Sequence, residues 1–155
     1  MVHRGIATLS GALMFCFLSL AQFDSAFFFL HFYEALIYLV IILMLFYFED
    51  RWAYMLGMLA PAVWLMLSLL TNALPSAVLN LGRFIGGGEA PTNVALAMVL
   101  TSGLAILMIV LCARRWQREF SGLGKGWSTF GICLGAVLVY YGILVFWFGR
   151  LFPWQ

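Results

Sequence analysis

Five apolar stretches, each about twenty residues long and separated by short polar breaks, leave this chain few ways to fold. They run over 5–23, 26–48, 52–71, 92–113 and 128–148. A helix rising 1.5 Å per residue needs about 20 apolar residues to cross the roughly 30 Å hydrocarbon layer of a bilayer. Each stretch meets that length. The runs do not alternate lipid-facing with lumen-facing residues, so a membrane β-barrel is excluded and helices are expected.

Composition points the same way. Of 155 residues, 65% are hydrophobic and only 9% charged, with a mean hydropathy of +1.05. Water-soluble domains carry about 25% charged residues. A water-soluble domain of this size still exposes about a third of its unfolded-chain surface, so it has no room to hide so much apolar side chain. The expected fold class is an all-α integral membrane protein, a single domain over 1–155 with five transmembrane helices in a compact bundle.

The breaks suggest how the helices are joined. Asp24-Ser25 reads as a helix N-cap pair and Glu49-Asp50-Arg51 as a charged tight turn. The two long gaps are 72–91 and 114–127. Within the first, 75–85 is expected as a short interfacial helix, with Leu79, Phe84 and Ile85 toward lipid or the bundle and Asn80 and Arg83 toward water. Gly86-Gly87-Gly88 follows as a joint, since no phosphate-binding pattern accompanies it. The first span, with Arg4 before it and Ser19-Leu20-Ala21 near its end, shares features with a secretory signal peptide; the reading adopted is a retained helix.

Orientation follows from the basic residues. Arg114, Arg115, Arg118 and Lys125 lie in one loop, which the positive-inside rule assigns to the cytoplasm. Counting spans from there puts the N-terminus inside and the C-terminus outside a cytoplasmic or equivalent membrane. Arg4 and Arg51 then also fall inside, leaving Arg83 and Arg150 outside. Trp52, Trp116 and Trp127 mark the inner interface, and Trp147 and Trp154 the outer one.

Lipid tails are as apolar as leucine, so helix association must come from close packing of small residues and from hydrogen bonds. The fifth span offers Gly131 and Gly135, and a seven-residue stripe of Ser128, Gly135, Gly142 and Gly149. The fourth offers Asn93, Ala97, Thr101 and Ala105, the first Ala7 with Gly11, and the third Gly57 with Pro61, where the proline should bend or soften the helix.

One ionisable pair lies well inside a span. His31 and Glu34, with Tyr38 a turn further on, share one face of the second helix at i, i+3 and i+7. A charged side chain near the bilayer centre costs about 2.5–3.5 kcal/mol, while the fifteen Leu, Ile, Val and Phe of 26–48 each return about 0.3–0.6. Insertion therefore survives, and the polar face should look inward. Its structural reading makes Glu34 a hydrogen-bond acceptor for His31, for Tyr140 or Tyr141, or for Arg83 or Arg150 reaching in. Its functional readings are a quinone or other cofactor site built on His31, Glu34 and Tyr38 with Phe28, Phe32 and Trp64 as apolar walls, a haem or pigment held by His31, and a proton or ion path centred on Glu34.

Other chemistry is poorly supported. Cys16, Cys112 and Cys133 sit singly in apolar runs and read as small hydrophobes, with no metal site. A net charge of +2 is too small for a nucleic-acid surface. Hydrolase and zinc-protease motifs are absent, and His31-x-x-Glu34 alone falls short of a di-iron site. The expected role is a non-catalytic accessory or scaffold subunit of a larger membrane complex. The alternatives are a redox subunit binding a quinone or cofactor, and a small transporter or proton conductor. The expected partners are the bilayer and other membrane subunits.

Overall fold

A computed structural model describes residues 3–47, 50–120 and 126–148. Phe48 at the end of the second expected span, Glu49 of the expected turn, Lys125 of the basic loop, and Gly149, Arg150 and Trp154 at the C-terminal end lie outside the described residues.

Among the described residues the chain forms α1 (His3–Phe23), α2 (Phe28–Tyr47), α3 (Asp50–Leu70), α4 (Ala73–Ile85), α5 (Asn93–Phe120) and α6 (Gly126–Phe148). A single 3-10 turn over Ser25–Phe27 joins α1 to α2. No strand occurs among them, and all but α4 are long and apolar enough to cross a membrane. At 13 residues α4 reaches only about 20 Å, too short to span. The protein is thus an all-α bundle with five apolar membrane helices.

Two helix boundaries differ from the expectation. The α5 helix continues through Arg114 to Phe120 although its apolar run ends at Ala113, because leaving hydrocarbon does not end a helix whose residues remain good helix formers. Arg115 and Glu119 support the extension with an i, i+4 ion pair at 3.7 Å. Asp24 occupies the cap position before the 3-10 turn but makes no side-chain capping bond. Backbone bonds close that corner instead: Asp24 N–H donates to Leu20 at 2.8 Å, and Phe27 N–H donates to Asp24 at 3.1 Å.

The core is shared by all five long helices. Leu13, Phe17 and Leu20 of α1, Tyr38 and Ile41 of α2, Tyr54 and Ala60 of α3, Ala105 and Met108 of α5, and Val137 and Tyr141 of α6 are buried. The α1 helix lies against α2 and α5, α3 against α5, α6 and α2, and α4 against α5 and α3. Inside these helices the hydroxyls of Ser19, Ser68, Thr101 and Ser102 each donate to the carbonyl four residues back, so no hydroxyl hydrogen of theirs is left to face lipid. The outward surface is apolar, with Phe29 73% and Phe146 83% exposed. A bilayer is the solvent that accepts such a surface.

The small residues are divided between the inside and the outside. Gly57 is the true close-approach position: a Cβ there would lie 2.7 Å from Cys112 Sγ and 3.0 Å from Met108 Cε of α5. The helix runs unbroken through Pro61, whose ring nitrogen has no hydrogen for the Gly57 carbonyl. Thr101 and Ala105 of the expected α5 ridge are fully buried. The α6 stripe turns the other way. A Cβ on Gly131, Gly135 or Gly142 would meet nothing within 4 Å, so these glycines are not the packing seam expected of them inside the bundle. Periodicity placed them on one face without fixing which way that face points.

Candidate functional site

The face of α2 identified in the sequence does look inward. His31, Glu34 and Tyr38 are buried, with 8%, 7% and 0% of their surface exposed. Glu34 lies six residues into α2, about 9 Å from its start. Its carboxylate is held on both sides: Oε2 lies 2.9 Å from His31 Nδ1, and Oε1 accepts a hydrogen bond from Trp64 Nε1 of α3 at 3.1 Å. Two donors on one carboxylate satisfy most of what burial takes from it.

That arrangement orients the imidazole. With Nδ1–H donated to the carboxylate, Nε2 is the remaining nitrogen, an acceptor when the ring is neutral and a donor when it is charged. Nε2 has no hydrogen-bond partner among the described residues. Carboxylates commonly fix the tautomer and direction of working histidines in this way.

Aromatic packing locks the group in place. The Trp64 ring meets Phe17 of α1 edge-on at 5.1 Å and 88°, and Phe17 stacks on Tyr38 at 5.4 Å and 19°. Tyr38 therefore supports the site through Phe17 rather than by bonding to Glu34. Its hydroxyl and that of Tyr141 are buried without a hydrogen-bond partner among the described residues, both within electrostatic reach of Glu34. Tyr140 is engaged elsewhere. It donates to the Tyr33 carbonyl while Tyr33 donates to the Tyr140 carbonyl at 3.2 Å, their rings stacked at 4.3 Å. This reciprocal clasp ties α6 to α2. Arg83 is exposed on α4 and makes no ion pair with Glu34, and Arg150 lies outside the described residues.

Beside the dyad is a cavity of about 340 Å³. His31, Glu34 and Trp64 line it together with Leu20, Phe27, Leu30, Leu67, Met98 and Leu144. Asp24, Ser68, Thr71, Ser76, Asn80 and Thr92 add polar groups. Asp24, Asn80 and Thr92 belong to the end of the bundle where α1 turns into α2 and where α4 leads into α5, so the polar wall gathers toward one membrane face. The expected wall residues Phe28 and Phe32 are not in the lining. They stack on each other at 6.2 Å, with Phe32 exposed, and Phe27 of the 3-10 turn takes the expected place. Helix spacing alone could not separate Phe27 from Phe28, because the 3-10 turn changes the angular step between them.

The α4 helix forms part of this wall. Asn72, with φ +58°, turns the chain sharply after α3 and lays Ala73, Ser76, Ala77 and Asn80 along the cavity. Leu79, Phe84 and Ile85 are exposed. Asn80 thus faces the cavity opening as well as the surface, and Arg83 lines an adjoining surface depression with Glu89. Asp24, Ser68 and Asn80 were not identified as site residues from the sequence. The alternating direction of successive spans does place 24 and 72–92 at the same end, and that was the one signal able to find Asp24 and Asn80.

No group of three or more His, Cys, Asp or Glu side chains is placed to hold a metal ion among the described residues. No protein-family model, curated protein or solved structure matches the chain.

Proposed function

We propose that the protein binds a lipophilic small molecule in the cavity beside α2, with His31 Nε2 meeting its polar head. The observation that carries this reading is a buried imidazole, fixed by Glu34 and Trp64, with one nitrogen unpartnered in a cavity of about 340 Å³. Small-ligand sites are mostly apolar clefts of about 300–1,000 Å³ with a few placed polar groups. A buried ionisable residue inside a membrane helix marks a functional site by default. A quinone-class cofactor is one occupant that fits this description.

Chain purified in mild detergent should retain a lipid-soluble molecule at about one per chain, recovered by solvent extraction and mass spectrometry. Ala77→Leu, which fills the cavity from α4, and His31→Ala should each lower its recovery at least about tenfold, equivalent to 1.4 kcal/mol. Wild-type protein with nothing extractable beyond bulk lipid would remove the reading.

A second role, as a subunit of a larger membrane assembly, is favoured by α6. Gly131, Gly135 and Gly142 face outward with open space beside them, the surface a neighbouring helix needs for close approach. Mild-detergent purification should bring down a stoichiometric membrane partner, and Gly135→Leu should release it. A chain that runs alone before and after the substitution counts against this role.

The basic residues support a cytoplasmic N-terminus. In that orientation Asp24 and α4 lie at the outer face, and the cavity opens toward it.

A further inference from the structure

The polar groups around the cavity are unequal in kind, and their inequality specifies the head they meet. Ser68 donates its hydroxyl hydrogen to the Trp64 carbonyl at 2.9 Å, Thr71 donates to the Leu67 carbonyl at 2.9 Å, and Ser76 donates to the Asn72 carbonyl. The Trp64 indole N–H is committed to Glu34. What these groups still offer to the cavity is oxygen lone pairs. The Asp24 carboxylate makes no hydrogen bond or ion pair among the described residues, and neutral His31 presents Nε2 as an acceptor. Donors remain at the Asn80 amide, the Thr92 hydroxyl and a charged His31.

Charge follows the same bias. Two carboxylates, Asp24 and Glu34, line the cavity, and no Lys or Arg does among the described residues. His31 neutralises at most one of them. On that side, among the described residues, Arg83 lines the adjoining depression together with Glu89 rather than the cavity. An anionic head meets negative charge here that no described Lys or Arg compensates, and a carbonyl head finds few free donors. A protonated amine supplies the hydrogens and the positive charge the wall lacks, and charge-assisted bonds to carboxylate are the stronger kind.

We propose that the cavity selects a lipophilic ammonium, a protonated primary or secondary amine carried on an apolar body. The proposal rests on the reading of the cavity as a ligand site and names the class of its occupant.

The test uses the full chain in phosphatidylcholine nanodiscs, titrated with dodecylammonium, dodecanol, dodecanoate and a decyl-substituted benzoquinone, with empty nanodiscs correcting for partition into lipid. Dodecylammonium should saturate at one per chain and bind at least about tenfold more tightly than the other three. Asp24→Asn keeps the shape of a side chain on which no capping bond depends, and should lower dodecylammonium affinity severalfold while leaving dodecanol unchanged. Equal or tighter binding of dodecanol or the quinone, or an Asp24→Asn variant with unaltered preference, would overturn the ammonium and leave the ligand site standing. Saturable binding of none of the four would overturn both. Repeating the titration with phosphatidylethanolamine in the discs separates two sources of the same chemistry: displacement assigns the ammonium to a lipid headgroup, and its absence to a free amine.

Discussion

Glu34 is held by a donor from its own helix and a donor from α3, so it is at once a registry device and the support of His31. Trp64→Phe keeps the ring against Phe17 but removes the indole hydrogen. Interhelical hydrogen bonds in membranes average about 0.6 kcal/mol and reach about 1.7. We expect a loss of about 1 kcal/mol, read from unfolding by sodium dodecyl sulfate in mixed micelles. An unchanged midpoint would show that the Trp64–Glu34 bond contributes nothing to stability. Gly57 gives a sharper contrast. Gly57→Ala forces its methyl against Cys112 and Met108 and should cost about 1–3 kcal/mol. Gly131→Ala meets nothing and should be neutral, or gain up to about 1 kcal/mol from helix propensity. Cys112→Ala should relieve Gly57→Ala in part; equal stability of both glycine variants would contradict the packing described. The sequence marked both glycines for helix contact, and only the tertiary structure distinguished them.

Among the elements, α4 is the one whose role depends on how it is attached. Asn72 adopts a left-handed conformation that Asn and Gly tolerate and a β-branched residue does not. Asn72→Gly should leave the fold intact. Asn72→Val should cost about 1–2 kcal/mol and loosen the cavity wall, read as lower stability together with weaker ligand retention. Retention and stability both unaffected by valine would show that the turn does not position α4. The short helix over 75–85 was legible from its apolar and polar residues, and the structure extends it by two residues at its start. Its inner side, where Ala77 packs and Asn80 reaches the cavity, depended on α5 lying beneath it.

The molecule as a whole places Trp127 and Trp147 at opposite ends of α6, 84% and 73% exposed. Twenty residues separate them, about 30 Å of helix, which matches the hydrocarbon thickness, the separation an aromatic belt at two interfaces requires. Five crossings put α4 and the end of α5 on opposite sides. The three native cysteines are buried, so a single introduced cysteine reports cleanly. With the proposed orientation, Ile85→Cys should label from outside intact cells, and Arg118→Cys only after permeabilisation. The reverse pattern would invert the orientation and turn the cavity toward the cytoplasm.

Span number, span limits to within a few residues except at the end of α5, and the inward direction of His31 and Glu34 were determined by the sequence, because hydrocarbon thickness fixes length and desolvation of charge fixes direction. Which aromatics line the cavity, which glycines touch a neighbour and which hydroxyl hydrogens are already spent were decided only by the tertiary structure. A helix turns every residue of a face together, but what that face meets depends on the rotation and separation of its neighbours, which a linear pattern does not record.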